Sequence, residues 1–325
     1  TSGYRSVVVG EGKGAVTWPV PADGVASVVT VGKFDGVHRG HREVIAQLIA
    51  RARGRRVVAV TFDRHPLSVV DPSRAPLPLL STAQKVEQLT AAGADLVVVL
   101  PFTEEFRELS PEGFVRDILV DGLSAELVLI GEDFRYGRDG QGTIDTLRDE
   151  GSTLRFEVAV IGDVCVDESN DRISSSAIRD ALSRGDVERA AHLLGRPHSV
   201  RGHVVHGHKR GREMGFPTAN LEENSEGFVP QPGVYAGTLD VGGHRYVAGI
   251  SVGRNPTFDD VDRPQVEAHA LDADFDAYDK VATISFTHRL RDSLHFTSVA
   301  DLMVAMDKDI ADIRSLVSAG KIPLD

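Results

Sequence analysis

Residues 30–41 read TVGKFDGVHRGH and set two histidines, His38 and His41, three positions apart at the entry to a helix-patterned stretch. A helix start offers unpaired backbone N–H groups and the positive end of a dipole, a natural seat for a triphosphate. Imidazoles at i and i+3 share one helical face. There they can donate hydrogen bonds to oxygens around an α-phosphorus while negative charge builds. Gly40, between them, has no Cβ to hold phosphate away from the backbone. A second element, residues 173–179 (ISSSAIR), places Ser175 among hydroxyls at a helix start and Arg179 one turn later. That pattern suits a clamp on β- and γ-phosphates as pyrophosphate leaves. Each alone is ordinary, since a lone histidine pair is commonly surface and a serine run commonly a cap. Together they point to nucleotidyl transfer, which positioning and charge stabilisation accelerate with little covalent help.

A separate constellation begins at residues 202–220, GHVVHGHKRGREMGFPTAN. Glycines 207, 211 and 215 alternate with Lys209, Arg210 and Arg212, which suits a basic loop wrapped around a polyphosphate. Thr218 and Asn220 are two apart, so in an extended segment their side chains share a face. Such hard oxygen ligands suit Mg²⁺, which takes few protein groups and keeps water and phosphate oxygens around it. Further on, Glu267 sits as a charged residue within QVEAHALD, where a carboxylate could take the proton of an attacking alcohol. Taken singly, these are also the features of a solvated loop and a water-facing strand residue.

Two kinds of element must position these groups. From residue 27 to 185, β-branched apolar runs (27–31, 56–62, 96–100, 126–130, 156–161) alternate with helical stretches (41–53, 81–92, 111–123, 144–150). That alternation predicts an α/β domain with a parallel sheet covered on both faces, whose ligands gather at the strands' carboxyl ends. Residues 175–194 read as helix interrupted by Arg184-Gly185-Asp186. Strand candidates then crowd together at 199–206, 234–241, 244–252, 265–271 and 281–290, before an amphipathic helix at 298–319. Strands without intervening helices predict a small antiparallel β-barrel closed by a terminal helix. The domains expected are 1–186 and 187–325.

The bulk composition agrees. A chain of 325 residues suits two domains, and 41% hydrophobic with 26% charged residues suits a folded globular protein. A net charge of −12 and a pI near 5.5 argue against a nucleic-acid partner, though a local basic pocket still serves small anionic substrates. Cys165 is the single cysteine, which fits a reducing compartment. No apolar run approaches the ~18 residues of a membrane span, and residues 1–20 lack a signal peptide's pattern. The expected setting is the cytoplasm, without a membrane partner. Nothing in the sequence fixes an oligomeric state.

The first module resembles the H-x-G-H nucleotidyltransferases, and within them the FMN adenylyltransferase half of bacterial bifunctional riboflavin kinase/FAD synthetases. Residues 61–66 (TFDRHP), 131–137 (GEDFRYG) and 173–179 resemble that family's T-F-x-P-H-P, G-x-[ND]-F-x-[FY]-G and I-S-S-[ST]-x-x-R segments. GFPTAN, then residues 233–237 (GVYAG), 251–258 (SVGRNPTF) and 266–269 (VEAH), follow the order seen in riboflavin kinases. The resemblance covers residues 25–315. It implies a Rossmann-like nucleotidyltransferase domain joined to a riboflavin kinase barrel, converting riboflavin to FMN and FMN to FAD with ATP and Mg²⁺. Under it His38, His41, Ser175 and Arg179 handle ATP phosphates, and Gly32, Phe34, Gly40 and Lys209 lie against ATP. Phe62, His65, Pro66, Asp133 and Phe134 face flavin or nucleotide. Thr218 and Asn220 bind Mg²⁺-ATP, and Glu267 is the base acting on the ribityl 5′-hydroxyl.

The chain departs from that pattern at three places. Lys33 precedes Phe34-Asp35-Gly36, Arg64 stands for a proline, and the stretch around Ala277-Tyr278-Asp279 lacks the glycine of Leu-Tyr-Gly. Two other readings stay open at this level. One keeps a single module catalytic, or gives the first another phosphate ester as substrate. The other is a non-catalytic flavin-binding regulator, against which the intact histidine pair and Glu267 speak, because binding alone needs neither.

Overall fold

The computed structural model describes residues 23–162, 165–166, 171–205, 218–253, 264–273, 277–294, 296 and 298–323. The chain divides into two compact units, Thr1–Ile173 and Ser174–Asp325.

In the first unit, β1 (Ser27–Val31), β2 (Arg56–Phe62), β3 (Leu96–Leu100), β4 (Ala125–Gly131) and β5 (Glu157–Ile161) form one parallel sheet in the order β3-β2-β1-β4-β5. All five residues of β1 and of β3 are buried, as expected of strands covered on both faces. Along the chain come the helices α1 (Arg39–Ala52), α2 (Leu67–Val70), α3 (Thr82–Ala91), α4 (Glu104–Arg107), α5 (Pro111–Gly113) and α6 (Ile144–Leu154). One apolar cluster packs Ile118, Leu119 and Phe114 onto Val29, Val58, Val98 and Val128. A second sets Ile45, Val86 and Leu89 against Ala59, Val97 and Val99. Because the side chains alternate along each strand, the two clusters take opposite faces of the sheet.

The expected helix at 111–123 is α5 continued by a wider π-type stretch, Phe114–Val120. There Asp121 N–H donates to Arg116 C=O and Leu123 N–H to Ile118 C=O, bonds of i→i−5 type that leave Phe114, Val115, Ile118 and Leu119 all buried. A two-stranded ribbon of β6 (Cys165–Val166) and β7 (Asp171–Arg172), too short to show in the sequence pattern, ends the unit.

The second unit opens on α7 (Ser175–Ser183) and α8 (Val187–Leu194), so the single interrupted helix expected over 175–194 is two. Gly185 (φ 74°) turns the chain between them, and Asp186 caps α8 by accepting from Arg189 N–H at 2.9 Å. The barrel follows, with β8 (His198–Val205), β9 (Thr218–Leu221), β10 (Gly233–Val241), β11 (His244–Gly253), β12 (Gln265–Ala270) and β13 (Val281–Arg291) closed in the order β10-β11-β12-β9-β8-β13. Alternate residues such as Ile250, Val252, Ala268 and Ile284 fill it. β10 and β11 join through Gly242 and Gly243, both at positive φ, the two-residue turn that matches strand twist.

The glycine missing around residues 277–279 is replaced without losing the turn. Asp279 itself takes φ 61°, its N–H donates to Val204 C=O, and Lys280 N–H donates to Ala277 C=O. Last, α9 (Val299–Ser318) is capped by Ser298 and held by a forked pair between Arg291 and Asp309 at 2.7 and 3.0 Å.

Candidate functional site

In the first unit every sequence-singled segment stands where a strand delivers its carboxyl end. The TVGKFDGVHRGH turn follows β1, TFDRHP follows β2 and GEDFRYG follows β4. The strand order reverses between β1 and β4, the place where open sheets of this kind bind ligands.

The turn after β1 is tightly wound. Phe34 and Val37 adopt positive φ, 47° and 41°, without being glycine, and Gly36 lies between them at 83°. Both non-glycine residues are buried, so packing holds a conformation the backbone alone disfavours. A Cβ on Gly32 would stand 3.2 Å from the Phe34 ring, tighter than side chains normally approach. Asp35 accepts from Leu79 N–H at 2.9 Å, tying the turn to the segment before α3.

His38 is the N-cap of α1 and only 6% exposed. Its Nδ1 accepts from His41 N–H over a long 3.4 Å, which leaves Nε2 to carry the proton in the neutral ring. The imidazoles stack with centroids 3.6 Å apart and planes 15° off parallel, and Phe34 meets His41 edge-on at 5.1 Å. Hence His38, His41, Phe34 and Gly32 gather in one place, with Gly40 buried in the first turn of α1. Burial, then the positive fields of His38, Lys85 and Lys33, hold His41 well below the usual histidine range. His41 is therefore a neutral ring at pH 7, and its buried Nδ1 has no hydrogen-bond partner among the described residues.

Phe62, at the end of β2, packs edge-on against Phe102 and Phe106, and Phe134 stacks on Tyr136 at 5.6 Å. Both rings lie against the same apolar cluster. His65 accepts from Leu67 N–H through Nδ1 at 3.1 Å, and Pro66 opens α2. Asp133 lies two residues beyond the end of β4. Arg64, at the position of the missing proline, pairs with the neighbouring Asp63 at 2.8 Å.

In the second unit the site is made by strand register. Glu267 lies opposite Asn220 on one side and Ser251 on the other, and His269 lies opposite Thr218. Val266, Ala268 and Ala270 are buried inside the barrel, so Glu267 and His269 lie on its outer face with Asn220 and Thr218. Asn220 is 7% exposed even so, and its amide donates to Thr218 Oγ1 at 3.4 Å. Ile313 of α9 closes over Gly249 and the apolar Val247 and Leu271, while Ser251 remains exposed. A polar end of the face is thus left beside an apolar one.

Comparison with known proteins follows the same division. The FAD synthetase family model matches residues 21–177 and the riboflavin kinase family model residues 194–317. A bifunctional riboflavin kinase/FMN adenylyltransferase of Listeria monocytogenes is 37% identical over 90% of this chain and 92% of its own length. This chain belongs to that bifunctional family. The Escherichia coli K12 member is 33% identical over 90% of this chain and 94% of its own. A crystal structure from Streptococcus pneumoniae, described as a macrolide-efflux protein, superposes with a TM-score of 0.81 at 32% identity. It covers 89% of this chain and 94% of that one. Among the described residues no helix is long and apolar enough to cross a membrane.

Against the bifunctional family's pattern, Ser175 and Arg179 fall on the first two turns of α7, four apart and on one face. Ser174, not Ser175, is the cap, accepting from Ala177 N–H at 3.2 Å. Lys209, with the rest of residues 206–217, lies outside the described residues, as do residues 254–258 of SVGRNPTF. Lys85 was not singled out from the sequence. Its Nζ is buried at the carboxyl ends of β1 and β2, donating to Phe62 C=O at 2.7 Å, Lys33 C=O at 3.3 Å and Thr61 Oγ1 at 3.4 Å. A signal existed: Lys85 is four residues before Leu89, on the buried side of α3.

Proposed function

We infer that the chain phosphorylates riboflavin to FMN on the barrel and adenylylates FMN to FAD on the parallel-sheet domain, using ATP in both steps. Residue 186 divides the labour. The observation that carries this reading is the union of two unlike sites in one chain. One is a stacked histidine pair at a helix start, and the other a carboxylate aligned with hydroxyl and amide oxygens on a barrel face.

In adenylyl transfer the FMN phosphate attacks the α-phosphorus of ATP and pyrophosphate leaves. His38 Nε2–H donates to a non-bridging α-phosphate oxygen, and the neutral His41 ring adds a second donor as charge accumulates. Gly32, Phe34 and Gly40 form the wall against which ATP lies. Ser175 and Arg179 take the departing phosphates, Arg179 through its fork of donors. Phe62 and Phe134 offer apolar faces to the isoalloxazine ring, with His65, Pro66 and Asp133 at its rim.

In the kinase step Glu267 accepts the proton of the ribityl 5′-hydroxyl as that oxygen attacks the γ-phosphorus. Thr218 and Asn220 present neutral oxygen donors on the same face. Among the described residues no group of three or more His, Cys, Asp or Glu converges as a cage. Sparse oxygen donors fit Mg²⁺ bound mainly through ATP and water, and a bound Mg²⁺ neutralises the phosphate charge. Lys209 adds a cation to the same polyphosphate. Flavins and ATP are small substrates, and with a lone cysteine the chain fits the cytoplasm.

The test uses pure protein with riboflavin, ATP and Mg²⁺, with the flavins separated chromatographically. FMN appears first and FAD after it. Glu267→Gln blocks FMN formation yet still converts supplied FMN to FAD, and His38→Ala has the opposite defect. If the two defects cannot be separated, the two-site assignment falls; saturable flavin binding without turnover would make the chain a carrier.

A further inference from the structure

Lys85 is an unusual group to find 7% exposed. A buried ammonium normally sits on a carboxylate. Here its three hydrogens meet three neutral acceptors, the carbonyls of Phe62 and Lys33 and the hydroxyl of Thr61. Thr61 Oγ1 in turn donates to Lys33 C=O at 3.1 Å, so the ring of bonds closes. Those acceptors belong to the last residues of β2 and to the first residues of the turn carrying Phe34, Val37 and His38. The ammonium thus ties that strained turn to the neighbouring strand, with no directly bonded anion among the described residues.

We propose that Lys85 is a positioning residue for adenylyl transfer, fixing the β1–α1 turn so that the stacked histidines face the α-phosphate. This rests on the adenylyl-transfer reading of the first unit. The charged groups acting on His41 are His38 at the N-cap of α1, Lys33 in the turn and Lys85 from α3, all disfavouring its protonation. Asp35 and Asp63 act on Lys85 from the turn after β1 and the turn after β2, partly offsetting what burial does to it.

The decisive variant is Lys85→Met in the full chain, because the barrel's kinase reaction reports on an intact protein in the same tube. Relative to wild type, kcat for FAD formation from supplied FMN falls about tenfold or more while KM for ATP and FMN moves little. FMN formation is unchanged. The acidic limb of the FAD-forming pH profile moves upward, since His41 loses the Lys85 cation that disfavours its protonation. A purely structural lysine would lower that profile without displacing it, and such a result overturns the proposal. So does an unchanged kcat, or a joint loss of both activities. Thr61→Val, which removes one acceptor and keeps the cation, is the second arm. A drop in kcat of about two- to fivefold, with kinase intact, supports the role, and no drop overturns it. Wild-type protein that makes no FAD from FMN would take down the underlying reading itself.

Discussion

The two units place the proposed anion-handling groups by opposite means. In the parallel-sheet unit the groups lie beyond the strand ends, in turns whose shape is forced: Phe34 and Val37 are held at positive φ, and a cap brings His38 onto His41. In the barrel they lie within the strands, and pairing register alone lines up Glu267, Asn220 and Thr218. A turn can be tuned residue by residue, whereas a register is all or nothing, because a slip of one residue would send Glu267 inside. The contrast extends to their buried histidines. His41 Nδ1 has no hydrogen-bond partner among the described residues, while His198 Nε2 is bonded at 2.6 Å to Phe228 C=O. One ring keeps an unsatisfied nitrogen; the other is tied into the barrel unit.

The largest expected effect is Glu267→Gln, which removes the proposed base and lowers riboflavin phosphorylation by about 10²–10⁴-fold at unchanged FAD formation from FMN. His41→Ala mirrors it, costing about 10²–10³-fold in adenylyl transfer with phosphorylation intact, by loss of the proposed transition-state donor. If either change spread to the other product, the separation of the two sites would be blurred.

The third effect is on stability. Burial pushes His198 down to about 4, so the folded barrel excludes a proton that the unfolded chain takes up near 6.5. The stabilisation is complete above pH 6.5 and is lost as the pH falls toward 4, an amount of about 3 kcal/mol. Urea midpoints of the kinase activity at pH 7.5 and 5 capture about 2 kcal/mol of it, and His198→Asn flattens the difference. The smallest effect is Asp279→Gly, which relieves a left-handed aspartate and stabilises the barrel by up to about 1 kcal/mol in thermal melts. A turn that instead weakens would show that the Asp279 side chain contributes more than its backbone costs.

Much of this was legible in the residues. β1, β2 and β3 begin and end where the β-branched runs do, since glycine, aspartate and proline bound them. The helix expected at residue 41 starts at Arg39 because an imidazole does the capping, outside the usual Ser/Thr/Asp/Asn signal. β9 is only four residues long and follows a proline, so periodicity had nothing to count. Lys85 shares the helix face of Leu89, a weak signal that is outweighed because lysine on a helix ordinarily faces solvent. The strain at Phe34 and Val37 has no sequence signature, as neither residue favours the conformation it takes.

The sheet order has one more implication. A closed barrel offers no terminal strand, but the parallel sheet ends at β3, whose sequence is LVVVL without a charge, proline or glycine. Should the first unit open, that segment is the one most able to pair with its copy in another chain and seed cross-β aggregates. Asp95 and Pro101 stand at its two ends, a charge and a hydrogen-bond breaker that act as gatekeepers against such stacking. Solubility under stress therefore depends on two residues that take no part in the chemistry.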